Sequence, residues 1–428
     1  MTISRAPRTA WAVVVALAAL STAPVAAQEC PRPASVVKGL AQPKAAIRYL
    51  ADDRLGGRLA GSADERCAGD YIAAEFRRIG LEPAGDAGTY FQSLPLASAI
   101  NPHAPAGTGR NVVARLRGAD PTLAAEAVVI GAHYDHLGHG GFGSLEPNST
   151  DIHNGADDNA SGVGALLAVA ERLAKGVRPA RSVVFVAFTG EEEGLLGSEF
   201  YASHPAVPLE KTRAMLNMDM VGRLGTQPLL VYGTGTATEW SGVVKEAAAR
   251  EGLPIAEKAD GYGPSDQTSF YAKDVPVLHF FTNVHGDYHK PSDDWEKIDF
   301  AGVERVARLV ARVAVEAAGR AQALTLLRGA GSPPTQSSGG GYGAYLGTVP
   351  DFTPVERGVR LSGVTGGSPA DQAGLKAGDV IVGIAEVDVK DLYAMTDALR
   401  AHKPGERVEI RFLRDGREQK TEAVLGRR

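Results

Sequence analysis

Residues 182–189, SVVFVAFT, form an uninterrupted β-branched and aromatic run. A run of this length and composition predicts a strand buried on both faces, as in a parallel sheet. Residues 127–133, 214–220 and 275–281 carry similar apolar runs. Between and after them, apolar positions recur at helical spacing over 162–174, 238–250 and 301–318. Strands alternating with helices predict an α/β unit, a mostly parallel mixed sheet sandwiched by helices. From residue 344 the pattern changes to short β-type runs at 358–364, 379–384 and 407–413, with one helix candidate at 392–401. Turn signals at Lys403-Pro404-Gly405-Glu406 and Asp415-Gly416 punctuate this second, β-rich unit.

Composition fixes the boundaries of these units. The chain has 428 residues, 44% hydrophobic and 22% charged, which suits a globular protein of more than one domain. A formal net charge of −5, with no basic tract, argues against nucleic acid as a partner. Arg5 and Arg8 precede an apolar run from Trp11 to Leu20 and a small-residue site at Val25-Ala26-Ala27. That order predicts a secretory signal peptide over 1–27 and export to the periplasm or medium, with no stable membrane insertion after cleavage. The expected units are then 28–325, a flexible Gly/Ser/Pro linker over 329–343, and 344–428. The only cysteines, Cys30 and Cys67, both lie in the exported N-terminal segment, where a disulfide is chemically allowed.

Candidate chemistry lies at the ends of the predicted strands and in polar loops. The positions are His133 in GAHYDH, Asp157 in NGADDNASG, Glu191 and Glu192 in TGEEEGLLGS, Asp219 in LNMDM and His289 in DYHKPSDD. Imidazole nitrogen and carboxylate oxygen are zinc donors. Two zinc ions about 3.5–4 Å apart need a bridging carboxylate and further ligands on each side. His133, Asp157, Glu192, Asp219 and His289 satisfy that count. Glu191 is left over, a carboxylate adjacent to a ligand and placed to move a proton. Among neighbours, His136 is an alternative to His133, Glu193 is a spare, and His139 and His153 fall in a loop of about 16 residues, 138–153, a length often tied to function.

With these motifs in this order, residues 45–318 resemble the co-catalytic zinc peptidases of clan MH. That clan includes bacterial leucyl aminopeptidases, glutamate carboxypeptidases and glutaminyl cyclases. The resemblance implies the zinc exopeptidase fold and two zinc ions per chain. Asp157 would bridge them, His133 and Asp219 would complete one site, and Glu192 and His289 the other. Glu191 would be the general base, and the peptide bond between Asp157 and Asp158 would be cis. Asp135 would orient the His133 imidazole, as residues behind metal ligands commonly do. Tyr262 and Asp266 match positions near the family's substrate pocket, where a Tyr hydroxyl could stabilise an oxyanion. Met220, Phe280, Phe281 and Tyr288 are candidates for an apolar side-chain pocket, or else core. The expected activity is that of an aminopeptidase acting on peptides with a free N-terminus. Competing expectations are a carboxypeptidase or dipeptidase, for which Arg223 is the one candidate partner of a substrate carboxylate, and a single-zinc glutaminyl cyclase.

The C-terminal unit resembles a bacterial PDZ domain through GSPADQAGLKAGDVIVGI. The resemblance implies capture of a peptide C-terminus by backbone N–H groups of Tyr345-Leu346-Gly347, with the peptide added as a strand. Pro350 departs from the pattern, because proline cannot donate a ladder hydrogen bond. A non-catalytic scaffold in which this domain carries the function is the remaining alternative. Asn148-Ser149-Thr150 fits a three-residue glycosylation sequon.

Overall fold

In the computed structural model, the described residues are 29–96, 107–141, 143–146, 149–263, 265–330, 344–351, 355, 357–364, 367–390, 394–395, 398–399 and 401–426. The expected signal peptide, the sequon residue Asn148 and most of the expected linker lie outside them, as does part of the expected helix at 392–401.

The first unit is built on a nine-stranded mixed sheet. Its strands are β1 (Glu82–Pro83), β2 (Phe91–Pro95), β3 (Thr108–Leu116), β4 (Ala127–His133), β5 (Ser182–Phe188), β6 (Thr212–Met218), β7 (Leu229–Tyr232), β8 (Ile255–Glu257) and β9 (Val277–Phe281). The order is β1-β3-β5-β4-β6-β9-β7-β8, with β2 paired to β3. The central pairs β5–β4, β4–β6 and β6–β9 are parallel, while β3 and β7 run antiparallel to their inner neighbours. Every residue of β4 and β5 is buried. Their unbroken apolar runs therefore meet helices on both faces, as the pattern predicts. The strands missing from the sequence reading, β1 to β3, β7 and β8, are outer strands with shorter or more polar patterns.

Helices α1 (Pro33–Val37), α2 (Lys44–Leu50), α3 (Ala63–Ile79), α4 (Gly162–Lys175), α5 (Leu196–Ser203), α6 (Trp240–Glu251), α7 (Gln267–Tyr271) and α8 (Phe300–Gly319) cover the sheet. The start of α3 shows the local logic. Ser62 Oγ accepts from Glu65 N, and Glu65 Oε2 reaches back to accept from Gly61 N. The exchange satisfies the Glu65 N–H that the helix start leaves open and the Gly61 N–H just before the cap. Gly80 ends α3 in the left-handed conformation, φ 87°. Cys30 and Cys67 form a disulfide that ties the N-terminal segment to α3. Leu327 N donates to Thr236 O and Gly261 N to Ala330 O, so the first unit continues to residue 330, past the expected boundary at 325.

The second unit has strands β10 (Thr348–Asp351), β11 (Val359–Val364), β12 (Val380–Ile384), β13 (Val387–Asp388), β14 (Arg407–Arg414) and β15 (Arg417–Val424), with helix α9 (Pro369–Gln372). They form a six-stranded sheet in the order β10-β11-β12-β14-β15, β13 pairing with β12, and every pair is antiparallel. In β14, Val408, Ile410 and Phe412 are buried in alternation. Pro350 lies within β10, and the register with β11 shifts between Val349 and Pro350. The strand accommodates the missing donor with an irregularity and does not end there.

Candidate metal centre and side-chain pocket

Four of the candidate side chains stand where parallel strands end. His133 closes β4, Glu191 and Glu192 follow β5, and Asp219 follows β6. This is the crevice beyond the carboxyl ends of the strands in which α/β sheets bind ligands. His133 Nε2 lies 3.3 Å from Asp219 Oδ1, 3.3 Å from Asp158 Oδ1 and 4.0 Å from Glu191 Oε2. His289 Nε2 lies 3.1 Å from Asp158 Oδ2 and 3.2 Å from Glu192 Oε2.

The acidic residue shared by the two groups is thus Asp158, and the expectation for Asp157 is corrected. Asp157 Oδ1 accepts from Gly222 N at 2.6 Å and Ser161 Oγ at 2.9 Å, and its Oδ2 meets His285 Nε2 at 3.0 Å. The cis peptide likewise falls one residue later, between Asp158 and Asn159. The reason is the turn that leads into α4. Asp157 N and Asp158 N both donate to Asp293 Oδ2, which anchors the turn from behind. The two adjacent carboxylates then face opposite ways, one toward the protein and one toward the crevice. Gly155 begins the turn at φ 53°, and a Cβ there would meet Asp158 O at 2.0 Å and the His136 ring at 2.5 Å.

One support, Arg58, carries no signal in its own local sequence. Arg58 is fully buried and donates to four carbonyls, those of Leu50, Tyr134 at 2.7 Å, Asn154 at 2.6 Å and Gly155 at 3.1 Å. It joins the loop after β4 to the turn that presents Asp158. Asp135 accepts from Glu191 N at 3.2 Å and Glu192 N at 3.3 Å, and its Oδ1 is 3.7 Å from His133 Nδ1. The nearer partner of that Nδ1 is the Asp135 backbone oxygen, at 3.3 Å. His136 is fully buried with Nδ1 2.7 Å from Glu192 Oε1, so it stands behind a candidate ligand and not in place of His133. The loop 138–153 reaches the cluster through Gly143 O, which accepts from His289 Nδ1 at 2.8 Å. Within that loop His153 Nε2 is 2.8 Å from Ser144 Oγ, and His139 Nδ1 is 3.2 Å from Thr150 O. Glu193 is buried.

The electrostatics match this packing. Burial drives the Glu191 carboxyl well above the usual range, and Glu192, Asp219 and Asp266 add to the shift against the opposing His133. Burial would raise Asp158 too, but hydrogen bonds from His133 and His289 outweigh it and hold the group well below its usual value. Glu192 is brought to about 2 against its burial, by His289 and by hydrogen bonds from His136 and His289. Burial lowers His133 and His289, yet the surrounding carboxylates win and hold both well above the usual imidazole value.

This donor set fits metal ions. His133, Asp158 and Glu192, and likewise His133, Glu191 and Asp219, each offer one ligand atom, all within 4.8 Å of one another in each group. Imidazole nitrogens and carboxylate oxygens are the donors that zinc takes.

A cavity of about 100 Å³ opens beside the cluster. Asp158, Glu191, Asp219 and His289 form one side, and Met220, Tyr232, Ser265, His279, Phe281, Val284 and Tyr288 form the rest. Met220, Phe281 and Tyr288 were expected there. Phe280 is not in the lining. It points to the opposite face of β9 and joins the main core, as strand alternation requires. Tyr262 is also outside the lining, its ring edge against Tyr271 at 4.8 Å. Asp266 is fully buried next to the lining residue Ser265, and burial raises it to about 7. Arg223 is engaged elsewhere, with Asp287 at 3.2 Å and Asp293 at 3.0 Å. In the second unit Tyr345 N donates to Gly426 O at 2.9 Å, which removes one of the three expected carboxylate-binding N–H groups.

Comparison with known proteins agrees with both units. Residues 111–314 match the model of peptidase family M28, and residues 345–425 match the PDZ domain model. Leupeptin-inactivating enzyme 1 of Streptomyces exfoliatus is 28% identical over 66% of this chain and 57% of its own length. Aminopeptidase YwaD of Bacillus subtilis is 30% identical over 45% of this chain and 41% of its own. The chain thus spans about half the length of the curated relatives it matches. Among solved structures, an aminopeptidase from Aneurinibacillus sp. strain AM-1 superposes with TM-score 0.52 at 19% identity, covering 69% of this chain and 98% of that one. Porphyromonas gingivalis glutaminyl cyclase gives TM-score 0.52 at 22% identity, covering 64% and 97%. At these identities the structural likeness establishes the fold.

Proposed function

Because the chain belongs to peptidase family M28 and carries a C-terminal PDZ domain, we propose that it is an exported two-zinc aminopeptidase that hydrolyses the first peptide bond of substrates with a free N-terminus. The observation that carries this reading is Asp158, whose two carboxylate oxygens reach His133 on one side, at 3.3 Å, and His289 on the other, at 3.1 Å, with Glu191 4.0 Å from His133 beside them. His133 and Asp219 would hold one ion, Glu192 and His289 the other, and Asp158 both. When bound, the two ions supply the Lewis acidity that polarises the scissile carbonyl and acidifies water. Glu191 takes the proton of the attacking water on its carboxylate and passes it to the departing amine nitrogen. Asp135 holds the backbone of Glu191 and Glu192 in place while this happens. The carboxylates facing the cavity suit the positive α-amine of a substrate.

Further features accord with the details. Arg223 is committed to Asp287 and Asp293, so the cation that a carboxypeptidase would aim at a substrate carboxylate is already paired. The Cys30–Cys67 disulfide accords with an oxidising compartment, and no helix among the described residues is long and apolar enough to cross a membrane. The PDZ unit would take a peptide C-terminus on the N–H groups of Leu346 and Gly347, which have no partner among the described residues. The edge strand β10 is open to an added strand on one side.

The deciding experiment uses purified protein with its metal content measured. It is offered peptides with a free N-terminus, N-blocked peptides and peptides beginning with glutamine. The expected result is about two zinc ions per chain and release of the N-terminal residue from unblocked peptides only. Cleavage of blocked peptides from the C-terminus would replace this reading with a carboxypeptidase. One zinc ion, with ring closure of N-terminal glutamine in place of hydrolysis, would replace it with a cyclase.

A further inference from the structure

The cavity beside the cluster has walls and a floor of different chemistry. Asp219 follows β6 and Phe281 ends β9, and both line the cavity. Two residues earlier on the same faces come Asn217 and His279, paired in register. They therefore lie deeper by one strand repeat, about 6.6 Å. Met220, Tyr232, Phe281, Val284 and Tyr288 make apolar or aromatic walls. Besides the hydroxyls of Tyr232 and Tyr288, the polar groups of the lining away from the acidic cluster belong to Ser265 and His279.

His279 is 4% exposed. Its ring stacks on Phe281 at 5.7 Å and tilts against Tyr232 at 5.8 Å. Nδ1 accepts from Asn217 Nδ2 at 3.3 Å, and the same amide donates to Ser265 Oγ at 2.8 Å. With Nδ1 accepting, the ring hydrogen sits on Nε2, which has no hydrogen-bond partner among the described residues. His279 lines the cavity, and a ligand group that accepts from this N–H gains a hydrogen bond worth about 0.5–1.5 kcal/mol. Burial pushes this imidazole down to about 4, so the floor is neutral at physiological pH. A neutral floor offers no compensation to a charged side chain that leaves water. Size narrows the choice further. An apolar cavity of about 150 Å³ holds a benzene ring, so a cavity of about 100 Å³ suits a slimmer chain.

Resting on the aminopeptidase reading, we propose that His279, with Ser265, makes this pocket select substrates whose N-terminal side chain is uncharged, slim and ends in a hydrogen-bond acceptor, glutamine foremost. Methionine, similar in length but without the acceptor, is the matched poor substrate. The sequence held no sign of this, since His279 sits inside an apolar strand and reads as core.

The test compares kcat/KM for glutaminyl and methionyl anilides with the zinc-loaded full chain, with product masses separating hydrolysis from ring closure. The glutaminyl substrate is expected to lead by about tenfold, the worth of one buried hydrogen bond. In His279→Leu the glutaminyl-to-methionyl ratio is expected to fall by the same factor. Ser265→Ala is expected to lower the ratio less. The wild-type ratio needs no variant, so misfolding of His279→Leu leaves the test intact. A methionyl substrate equal to or better than the glutaminyl one overturns the assignment, as does a ratio that His279→Leu leaves unmoved. In both cases hydrolysis of the anilides still stands, and with it the aminopeptidase reading. Failure to hydrolyse either anilide, with blocked peptides cleaved, overturns both.

Discussion

The two sheets of this chain use burial in opposite ways. In the first, β4 and β5 are buried along their whole length, and the chemistry begins where they end. In the second, β14 alternates buried and exposed residues and β15 is mostly exposed, leaving one face to solvent. A parallel strand covered on both faces cannot carry polar side chains along its length without partners, so its functional groups collect at its carboxyl end. An antiparallel strand with a wet face has no such constraint, and the groups it offers a ligand are backbone N–H and C=O at an open edge.

The sharpest way to break this contrast is at the strand ends. Glu191→Gln is expected to lower kcat by about 10² to 10⁴ while metal analysis still finds the wild-type zinc content. Loss of the metal in this variant would make Glu191 a ligand and not a base. Next, Asp158→Ala is expected to lose zinc, measured by elemental analysis after gel filtration. Asp157→Ala is expected to keep its zinc and lose stability instead, because its carboxylate faces Gly222, Ser161 and His285. Equal zinc loss in the two variants would erase the distinction between these neighbours.

The second sheet is probed through its core. Ile410 is fully buried there, and Ile410→Ala is expected to cost about 2–5 kcal/mol in the stability of the second unit. Calorimetry should show that unit melting early while turnover of a small anilide, the proposed activity, is unchanged. Matching loss of turnover would mean that the two units act as one.

The smallest effect is a pH dependence beneath the first sheet. Burial raises Glu65 to about 7, against a hydrogen bond from Thr189. A carboxyl raised in the folded state contributes stability that is fully present below its unfolded value near 4.5 and is lost as pH rises through 7. Between pH 5 and 8 the wild type is therefore expected to lose about 2–3 kcal/mol relative to Glu65→Gln in urea unfolding. Parallel pH profiles for the two proteins would remove Glu65 from the balance.

The sequence by itself determined the class of the fold and the family of chemistry, and it pointed to the candidate site residues. Unbroken apolar runs located β4, β5, β6 and β9, because burial on both faces leaves no room for another pattern. His133, Glu191, Glu192, Asp219 and His289 could be read from type and order, since they lie in or just after such runs or in polar loops. Two things were decided only by the tertiary structure. One is the choice between Asp157 and Asp158, identical in type and adjacent in position. Asp293, 135 residues away, holds both backbone N–H groups and so sets which carboxylate faces the crevice. The other is the lining of the pocket. Along β9 the ring at 280 turns to the core and those at 279 and 281 turn to the cavity. Strand alternation allows either phase, and only the packing of β9 between β6 and β7 chooses one.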